Sequence, residues 1–313
     1  MQANISQPVT IGGFPTVIDS TLMSHWRSCR RKTELESFQH WKPKEQSVHL
    51  HAGAAFAKGL EVTRQSFYAQ GMSQDLAVGN GLAALAKAYG TYLPPADSAK
   101  SLERMLGALE YYFSAYPLGT DSVKPARLGD QRLGIEFSFL EPLDILHPVS
   151  GEPLLYSGRF DMIADYCGGL YGEDDKTTSS LGASWPKQWD LRSQFTAYTW
   201  GARRAGIELT GFIVRGVSIL KTKYETLQAI TPRPQWMVDL WYRGLLVDLQ
   251  DMIAAWQQQN FRPNLDEACN AYGGCSFRKV CLSEPARQSA WLQMDFVRRH
   301  WNPVTRVETL LEA

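Results

Sequence analysis

Apolar positions recur every three or four residues through the first third of the chain, which is the spacing of one face of an α-helix. Asp19 or Ser20 is the candidate N-cap of the first such segment, because both side chains can accept a hydrogen bond from the first helical turn. The pattern predicts a largely helical N-terminal part. The predicted helical segments are residues 18–40, 52–70, 73–91 and 98–115.

Near residue 130 the apolar period changes from about 3.6 to 2, the period of a β-strand. Gly168 and Gly169 separate two of the predicted strands and predict a tight hairpin. Pro186 lies at the opening turn of the helix that follows. These features predict a mixed α/β chain with a central mixed sheet flanked by helices. The predicted strands are 134–143, 154–166, 170–178, 211–220 and 224–230, and the later helices are 186–205 and 234–258.

Two of these strands carry acidic side chains and a lysine in a pattern suited to metal chemistry. Asp161 lies in GRFDMIAD, and Asp174 and Lys176 lie in EDDKTT. Alternate residues of a strand share a face, so Asp174 and Lys176 point the same way and a tight hairpin brings Asp161 opposite them. Mg²⁺ prefers one or two carboxylates plus water and phosphate oxygens. A lysine beside it can orient or deprotonate water or stabilise developing charge. The alternative is a set of solvated charges on a polar strand face.

The next predicted helix contains SQFTAYTW, in which Gln194 and Tyr198 are four residues apart and share a helical face. GRFDMIAD, DDKTT and QFTAY, in this order, resemble the PD-(D/E)XK nuclease superfamily in its RecB-type branch. The resemblance implies a restriction-endonuclease-like core. We expect an N-terminal helical region that contributes a helix to the core, this nuclease core, and a Cys-rich C-terminal cap. These three regions span residues 1–125, 126–260 and 261–313.

The resemblance also implies roles for single residues. Asp161 and Asp174 would bind the metal, with Lys176 as the catalytic lysine, and Gln194 and Tyr198 would contact DNA or order the site. Glu136, in GIEFSF, resembles an acidic residue that often precedes the metal-binding Asp, and the Asp175 carbonyl is a further candidate metal ligand. GAAFAKGLE (53–61) fits a family motif, but Ala57 stands where many members have His. The number of metals and the choice between exonuclease and endonuclease therefore stay open, and His49 and His51 lie just upstream.

Four of the five cysteines bracket these motifs. Cys269, Cys275 and Cys281 are spaced C-x(5)-C-x(5)-C, and Cys29 lies far upstream. This arrangement resembles iron–sulfur nucleases, among them AddB-type subunits and CRISPR adaptation nucleases, which implies a [4Fe–4S] cluster with a structural role. Structural Zn²⁺ and packed free thiols are the alternatives, although zinc sites usually contain closer Cys pairs. Cys167, at the predicted hairpin, has no partner in this scheme.

Composition limits how the chain can bind its partners. The 313 residues include 32 basic and 32 acidic side chains, so no global positive field attracts nucleic acid, and DNA binding must use local patches and metal ions. No secretory signal and no apolar stretch long enough for a membrane is visible, so we expect a cytoplasmic protein of a bacterial or phage-infected cell. The sequence predicts an Mg²⁺- or Mn²⁺-dependent DNA exonuclease in recombination, repair or processing, with recombination or helicase proteins as partners. A structure-specific endonuclease and an inactive DNA-binding protein are the alternatives.

Overall fold

The computed structural model describes residues 13–45, 47–271 and 274–311. The chain divides into two compact units, each built from separate segments. The terminal unit comprises Met1–Glu45, Leu140–Gly158 and Tyr242–Ala313, and the central unit comprises Gln46–Phe139 and Arg159–Trp241. Each of the three regions predicted from the sequence is one continuous stretch of chain, whereas each of the two units combines separate stretches. The predicted division into three regions therefore stays a prediction.

A five-stranded sheet forms the core of the central unit, in the order β3-β6-β7-β8-β9. β7 and β8 run parallel and the other neighbours run antiparallel, so the sheet is mixed, as predicted. Every residue of β8 is buried, which is expected of a strand covered on both faces. The strands are β3 (Lys124–Pro125), β6 (Met162–Tyr166), β7 (Gly169–Thr178), β8 (Gly211–Ile219) and β9 (Tyr224–Pro232).

The turn between β6 and β7 fixes the register of the candidate site. Tyr166 pairs with Gly169, and the two residues between them, Cys167 and Gly168, both have positive φ, at 51° and 78°. Two positive φ values in a two-residue loop are the signature of a tight hairpin whose twist matches the strands. The hairpin is confirmed, although its loop lies one residue earlier than the two glycines suggested. Met162 is thereby placed opposite Glu173.

Three long helices cover one part of this sheet. Their apolar side chains form a buried cluster that includes Val217 and Ile219 of β8. Glycines allow two of the helices to cross closely, since a Cβ at Gly81 would lie 1.9 Å from the Thr63 hydroxyl oxygen. The helices are α3 (Val48–Arg64, continued by a π-helical turn Gln65–Ala69), α4 (Gln74–Tyr89) and α5 (Leu102–Ala115). All three match predicted helices.

Helix α6 (Ser193–Arg204) packs through aromatic side chains. Phe195 stacks on Phe212 of β8 at 4.5 Å between ring centroids, and Tyr198 lies against Phe160 at 5.1 Å. The predicted helix 186–205 was too long, because residues 187–189 form a separate short 3₁₀ turn. These ring contacts fix the rotation of α6 about its own axis.

The terminal unit contains two small sheets, β1-β5-β4 and β11-β10-β2. Asp19 caps α1, since its carboxylate accepts a 2.8 Å hydrogen bond from the Leu22 amide, as predicted. The predicted helix 18–40 is broken at Cys29, whose backbone is extended, and ends in a π-helical turn, Glu34–Phe38. The strands of these two small sheets are β1 (Val17–Asp19), β2 (Trp41–Pro43), β4 (Ser138–Leu146), β5 (Pro153–Arg159), β10 (Phe296–Asn302) and β11 (Val307–Leu310).

The remaining helices lie mostly in the terminal unit. Leu35, Phe277 and Phe296 contribute to a buried cluster of that unit. None of the helices in the described part of the chain is long and apolar enough to cross a membrane. These helices are α1 (Ser20–Ser28), α2 (Arg30–Thr33), α7 (Gln235–Gln257), α8 (Glu267–Asn270), α9 (Arg278–Leu282) and α10 (Pro285–Asp295).

Candidate active site

Asp161, Asp174 and Lys176 meet at one place on the central sheet. The Lys176 Nζ lies 2.5 Å from an Asp174 carboxylate oxygen, because alternate residues of β7 share a face. Asp161 was predicted to lie inside a strand, but it lies in the break between β5 and β6. There its carboxylate accepts a 3.1 Å hydrogen bond from the Asp175 amide, which ties it to β7.

The electrostatics of these three groups are unbalanced. Burial, and then the Asp174 carboxylate, raise the pKa of Asp161 to about 8. Burial also raises the pKa of Asp174, although the charges of Lys176 and Arg192 act against it. Burial acts to lower the pKa of Lys176, but the two carboxylates outweigh it, so this pKa lies above its usual value. Two carboxylates thus share one ammonium, and a further cation would balance the site.

The opposite face of β7 is held by a buried ionic network. Glu173 and Asp175 alternate with the site residues and both pair with Arg64 of α3, at 3.1 and 2.8 Å. The Tyr112 hydroxyl of α5 donates to Asp175 at 2.6 Å. The predicted metal-ligand role of Asp175 concerned only its carbonyl; its side chain is taken up by Arg64 and Tyr112.

A second arginine completes this network. Arg215 of β8 pairs with Asp121 through two nitrogens, at 2.5 and 2.8 Å, and its Nε lies 3.5 Å from Glu173. Its guanidinium also lies over the Tyr116 ring, 3.9 Å from the centroid. No sequence pattern had indicated Arg64, Tyr112 or Arg215 as members of the site's support. The alternation of acids along EDDKTT indicated that Glu173 and Asp175 face away from the site, but no local signal identified their partners.

Glu136 lies next to Asp161 through its backbone, with its side chain directed elsewhere. Its amide donates to the Asp161 carbonyl at 3.1 Å, and its φ of 54° is unusual for a residue other than glycine. The carboxylate pairs with Arg159 at 2.9 Å, and burial raises its pKa. A strained backbone of this kind is typical of functional sites. The predicted metal-ligand role of Glu136 stays a prediction.

Gln194 and Tyr198 lie on α6, but in different surroundings. Tyr198 is 8% exposed and packs among aromatic rings, so its position favours ordering the site over touching DNA. Gln194 is half-buried in the first turn of α6. Arg192, the N-cap residue, is exposed, and its charge acts on both Asp174 and Lys176. Arg192 was not predicted as a site residue, although it precedes Gln194 by two residues.

The histidines near the altered family motif have other contacts. The His51 Nε2 donates a 2.8 Å hydrogen bond to the Tyr89 carbonyl, and the ring stacks on Tyr92 at 4.2 Å, so His51 packs α3 against α4. A ring nitrogen facing a carbonyl acts as the donor, which fixes the tautomer. His49 and Ala57 are exposed on α3.

The four predicted cysteine ligands lie in the terminal unit. Asn264 links two of them: its amide donates to the Cys29 sulfur at 3.3 Å, and its carbonyl accepts from the Cys269 thiol at 3.8 Å. Burial raises the pKa of Cys275 and Cys281, and the charges of the other cysteines add to this. All four thiols are free, as is Cys167. Within the described residues, no three His, Cys, Asp or Glu side chains are arranged to hold a metal ion.

No protein-family model and no curated protein matches the chain. Among solved structures, it is similar to a "putative exonuclease" from Eubacterium rectale, with 13% identity, a TM-score of 0.47, and coverage of 86% of this chain and 90% of that one. It is also similar to the protein SSO0001, with 14% identity, a TM-score of 0.32, and coverage of 74% and 84%. TM-scores this low do not establish a shared fold.

Proposed function

We propose that the chain is a metal-dependent deoxyribonuclease with a RecB-like PD-(D/E)XK core. The observation that carries this proposal is the convergence of Asp161, Asp174 and Lys176. Asp174 and Lys176 lie on β7, and Asp161, in the break before β6, is tied to β7 by its hydrogen bond from the Asp175 amide. Oxygen ligands of this kind suit Mg²⁺ or Mn²⁺, which complete their coordination with water and phosphate oxygens. When both carboxylates are ionised, Lys176 balances only one of them, and this excess negative charge favours a divalent cation at the site.

Each residue then has a defined task. Asp161 and Asp174 would hold the ion, which when bound supplies an activated water and neutralises charge on the phosphate. Asp161 must first give up its proton, because its pKa is raised to about 8 by burial and by Asp174. Lys176, held as an ammonium by Asp174, would stabilise the charge that builds on the phosphate rather than act as a base. No step of this hydrolysis requires a covalent enzyme intermediate.

The resemblance favours exonuclease action on DNA in recombination, repair or processing, with helicase or recombination proteins as partners. A structure-specific endonuclease would use the same three residues. Because Ala57 stands where many family members have His, endonuclease action stays open as the second candidate function. A catalytically inactive DNA-binding protein would keep the fold without hydrolysis.

Digestion of end-labelled linear DNA and closed circular DNA in Mg²⁺ or Mn²⁺ tests these candidates together. We expect the linear substrate to be degraded and the circle to survive, and cleavage of the circle would support an endonuclease. Asp174→Asn and Lys176→Met should each lower the rate at least 100-fold, the order of loss for removing a preorganised charge-stabilising group. Asp165→Asn, on the neighbouring strand β6, is the matched control and should retain activity. Unchanged cleavage by both site variants would show that Asp174 and Lys176 do not form the active site.

For the cysteines we propose a structural [4Fe–4S] cluster bound by Cys29, Cys269, Cys275 and Cys281. Their mutual electrostatic influence and the Asn264 link between Cys29 and Cys269 support a shared four-thiolate site. Anaerobically purified protein should be brown and contain about four iron atoms per chain, as expected for such a cluster. Colourless protein with one equivalent of zinc would favour structural Zn²⁺ instead, and Cys167→Ser is the control that should change neither result.

A further inference from the structure

Helix α6 and the segment before it cover the face of the sheet that carries Asp174 and Lys176. Lys176 pairs with Gly216 of the parallel strand β8, so Gly216 and Phe212, four residues apart, continue this face. Phe212 is stacked under α6, and a Cβ at Gly216 would lie 2.5 Å from the Trp185 ring. The helix and the segment that leads into it therefore lie on the same side of the sheet as the candidate active site.

Arg192, at the start of α6, is held by its backbone while its side chain is exposed. Its amide donates to the Trp189 carbonyl at 3.2 Å, and this carbonyl also accepts from the buried Arg233 guanidinium at 2.6 Å. The Arg192 carbonyl accepts from the Phe195 amide at 3.1 Å. The exposed side chain makes no capping hydrogen bond. A fixed backbone thus presents a guanidinium that the helix does not use for its own cap.

The charge of Arg192 acts on the candidate active site. Burial is the main influence on the pKa of Asp174 and of Lys176, and the Arg192 charge acts to lower both pKa values. Within the described part of the chain, the Arg192 guanidinium has no ion pair and no side-chain hydrogen bond. By contrast, Arg64 and Arg215 of the same unit pair with acids. Arg192 is therefore a cation beside the site whose donors are available to an anion.

We propose that Arg192 binds the phosphodiester that is hydrolysed at Asp161 and Asp174, and stabilises the negative charge that builds on its oxygens. A guanidinium suits this task because its planar fork of donors matches two phosphate oxygens. The partial positive charge at the N-terminal end of α6 adds to the attraction. Hydrolysis joins the water oxygen to phosphorus, breaks one P–O ester bond and transfers a water proton to the leaving oxygen, while Arg192 stays protonated. This inference rests on the proposed nuclease function.

Single-turnover cleavage of end-labelled linear DNA in Mg²⁺ measures the contribution of Arg192 to the reaction. Arg192→Met should lower the rate at least 100-fold, the order of loss for removing one preorganised charge-stabilising donor. Arg192→Lys keeps the charge but not the fork of donors, so its loss should be intermediate. Arg204→Met removes an exposed arginine at the other end of α6, about 18 Å along the helix axis, and should cleave at the wild-type rate.

DNA binding by a cleavage-deficient variant gives a second readout that does not depend on activity. The affinity of Lys176→Met and of Lys176→Met/Arg192→Met for duplex DNA is measured in Mg²⁺ over a range of KCl concentrations. Adding Arg192→Met should weaken binding about tenfold and reduce the slope of log K against log salt by about one, as expected for one lost phosphate contact. The unfolding temperature should not change, because the removed side chain is exposed and supports no cap.

Wild-type cleavage by Arg192→Met, or an unchanged salt slope in the double variant, would overturn this inference and leave the nuclease proposal intact. An equal loss of rate in Arg204→Met would also overturn it, because a general effect of positive charge would then suffice. If Arg192→Met unfolds early, Arg192→Gln decides in its place, and wild-type cleavage by that variant has the same consequence. Absence of cleavage by the wild-type protein would instead remove the proposed function.

Discussion

Two carboxylates compete for one ammonium at the candidate active site, and this competition shifts the pKa of each residue. Lys176 lies against Asp174 at 2.5 Å, and the charge of this carboxylate raises the pKa of Lys176. A second ionised carboxylate would have no ammonium of its own, so burial together with Asp174 raises the pKa of Asp161 to about 8. At neutral pH, Asp161 is therefore mostly protonated before a metal binds.

Metal binding should release this proton. At pH 7 we expect Mn²⁺ binding to release close to one proton, with an affinity that rises up to about tenfold per pH unit below pH 8 and levels off above it. Calorimetric titrations in buffers of different ionisation enthalpy measure the proton count. Asp161→Asn should bind more weakly and release almost none, whereas Asp130→Asn, in an exposed turn, should behave as wild type. Wild-type binding without proton release at pH 7 would contradict the raised pKa.

The Arg64 guanidinium is the shared counter-charge of two buried carboxylates, Glu173 and Asp175. Arg64→Met should lower the free energy of unfolding by about 3–5 kcal/mol, because it leaves buried charge uncompensated. Urea denaturation measures the loss. Lys223→Met removes a solvent-exposed partner of Glu225 and should leave the free energy of unfolding nearly unchanged. A small effect of Arg64→Met would mean that the network is not a main support of β7.

At the scale of elements, α6 is positioned by a close approach to Phe139. A Cβ at Gly201 would lie 2.1 Å from the Phe139 ring, so either the helix or this buried ring would have to shift. Gly201→Ala should therefore destabilise the protein by about 1–3 kcal/mol, as overpacking does. Gly79→Ala, in α4 where a Cβ meets open space, should instead stabilise it by about 0.5–1 kcal/mol through helix propensity. Urea denaturation measures the free energy of unfolding of both variants. If both substitutions changed it in the same direction, a steric role for Gly201 would be ruled out.

The sequence predicted the elements that local periodicity specifies. Helices α3, α4 and α5 and strands β7, β8 and β9 lie close to their predicted bounds because each shows one clear apolar face or a fully buried run. The predicted strand 154–166 fails at Phe160, whose amide bonds to the distant Phe137 carbonyl. The predicted helix 18–40 fails at Cys29, whose extended backbone no apolar period reveals.

Part of the site was predictable for the same reason. The period of two along EDDKTT placed Asp174 and Lys176 on one face, and the hairpin brought Asp161 to them. Arg64 and Tyr112 were not predictable, because they reach β7 from helices far away in the sequence, and nothing near them in the chain marks the contact. Their roles follow only from tertiary packing.

At the scale of the whole molecule, the chain has a net charge of zero, but its two units contain buried groups whose pKa values are shifted in opposite directions. In the terminal unit, burial is the main cause that lowers the pKa of His25 and His40 to about 4. In the central unit, burial is the main cause that raises the pKa of Asp161 to about 8 and that of Glu173 to about 7. Folding therefore disfavours proton uptake by these histidines and favours it at these carboxylates.

Acidification from pH 7 to pH 5 should consequently move the two units in opposite directions. The unfolded histidines titrate near 6.5, so the unfolded state binds more protons below that pH and the stability supplied by neutral His25 and His40 is lost toward pH 4. The unfolded carboxylates titrate near 4, so the folded central unit binds more protons between about 4 and 8 and gains stability as the pH falls.

Hydrogen exchange read by mass spectrometry, corrected for the intrinsic pH dependence of exchange, resolves this prediction by segment. Peptides from α1 and β2 should lose protection at pH 5, and peptides from β7 and β8 should gain it. A variant with His25→Gln and His40→Gln should flatten only the terminal response. Asp161→Asn should reduce only the central response, which Glu173 then still contributes to. A parallel loss of protection in both units would show that another set of groups controls the acid response.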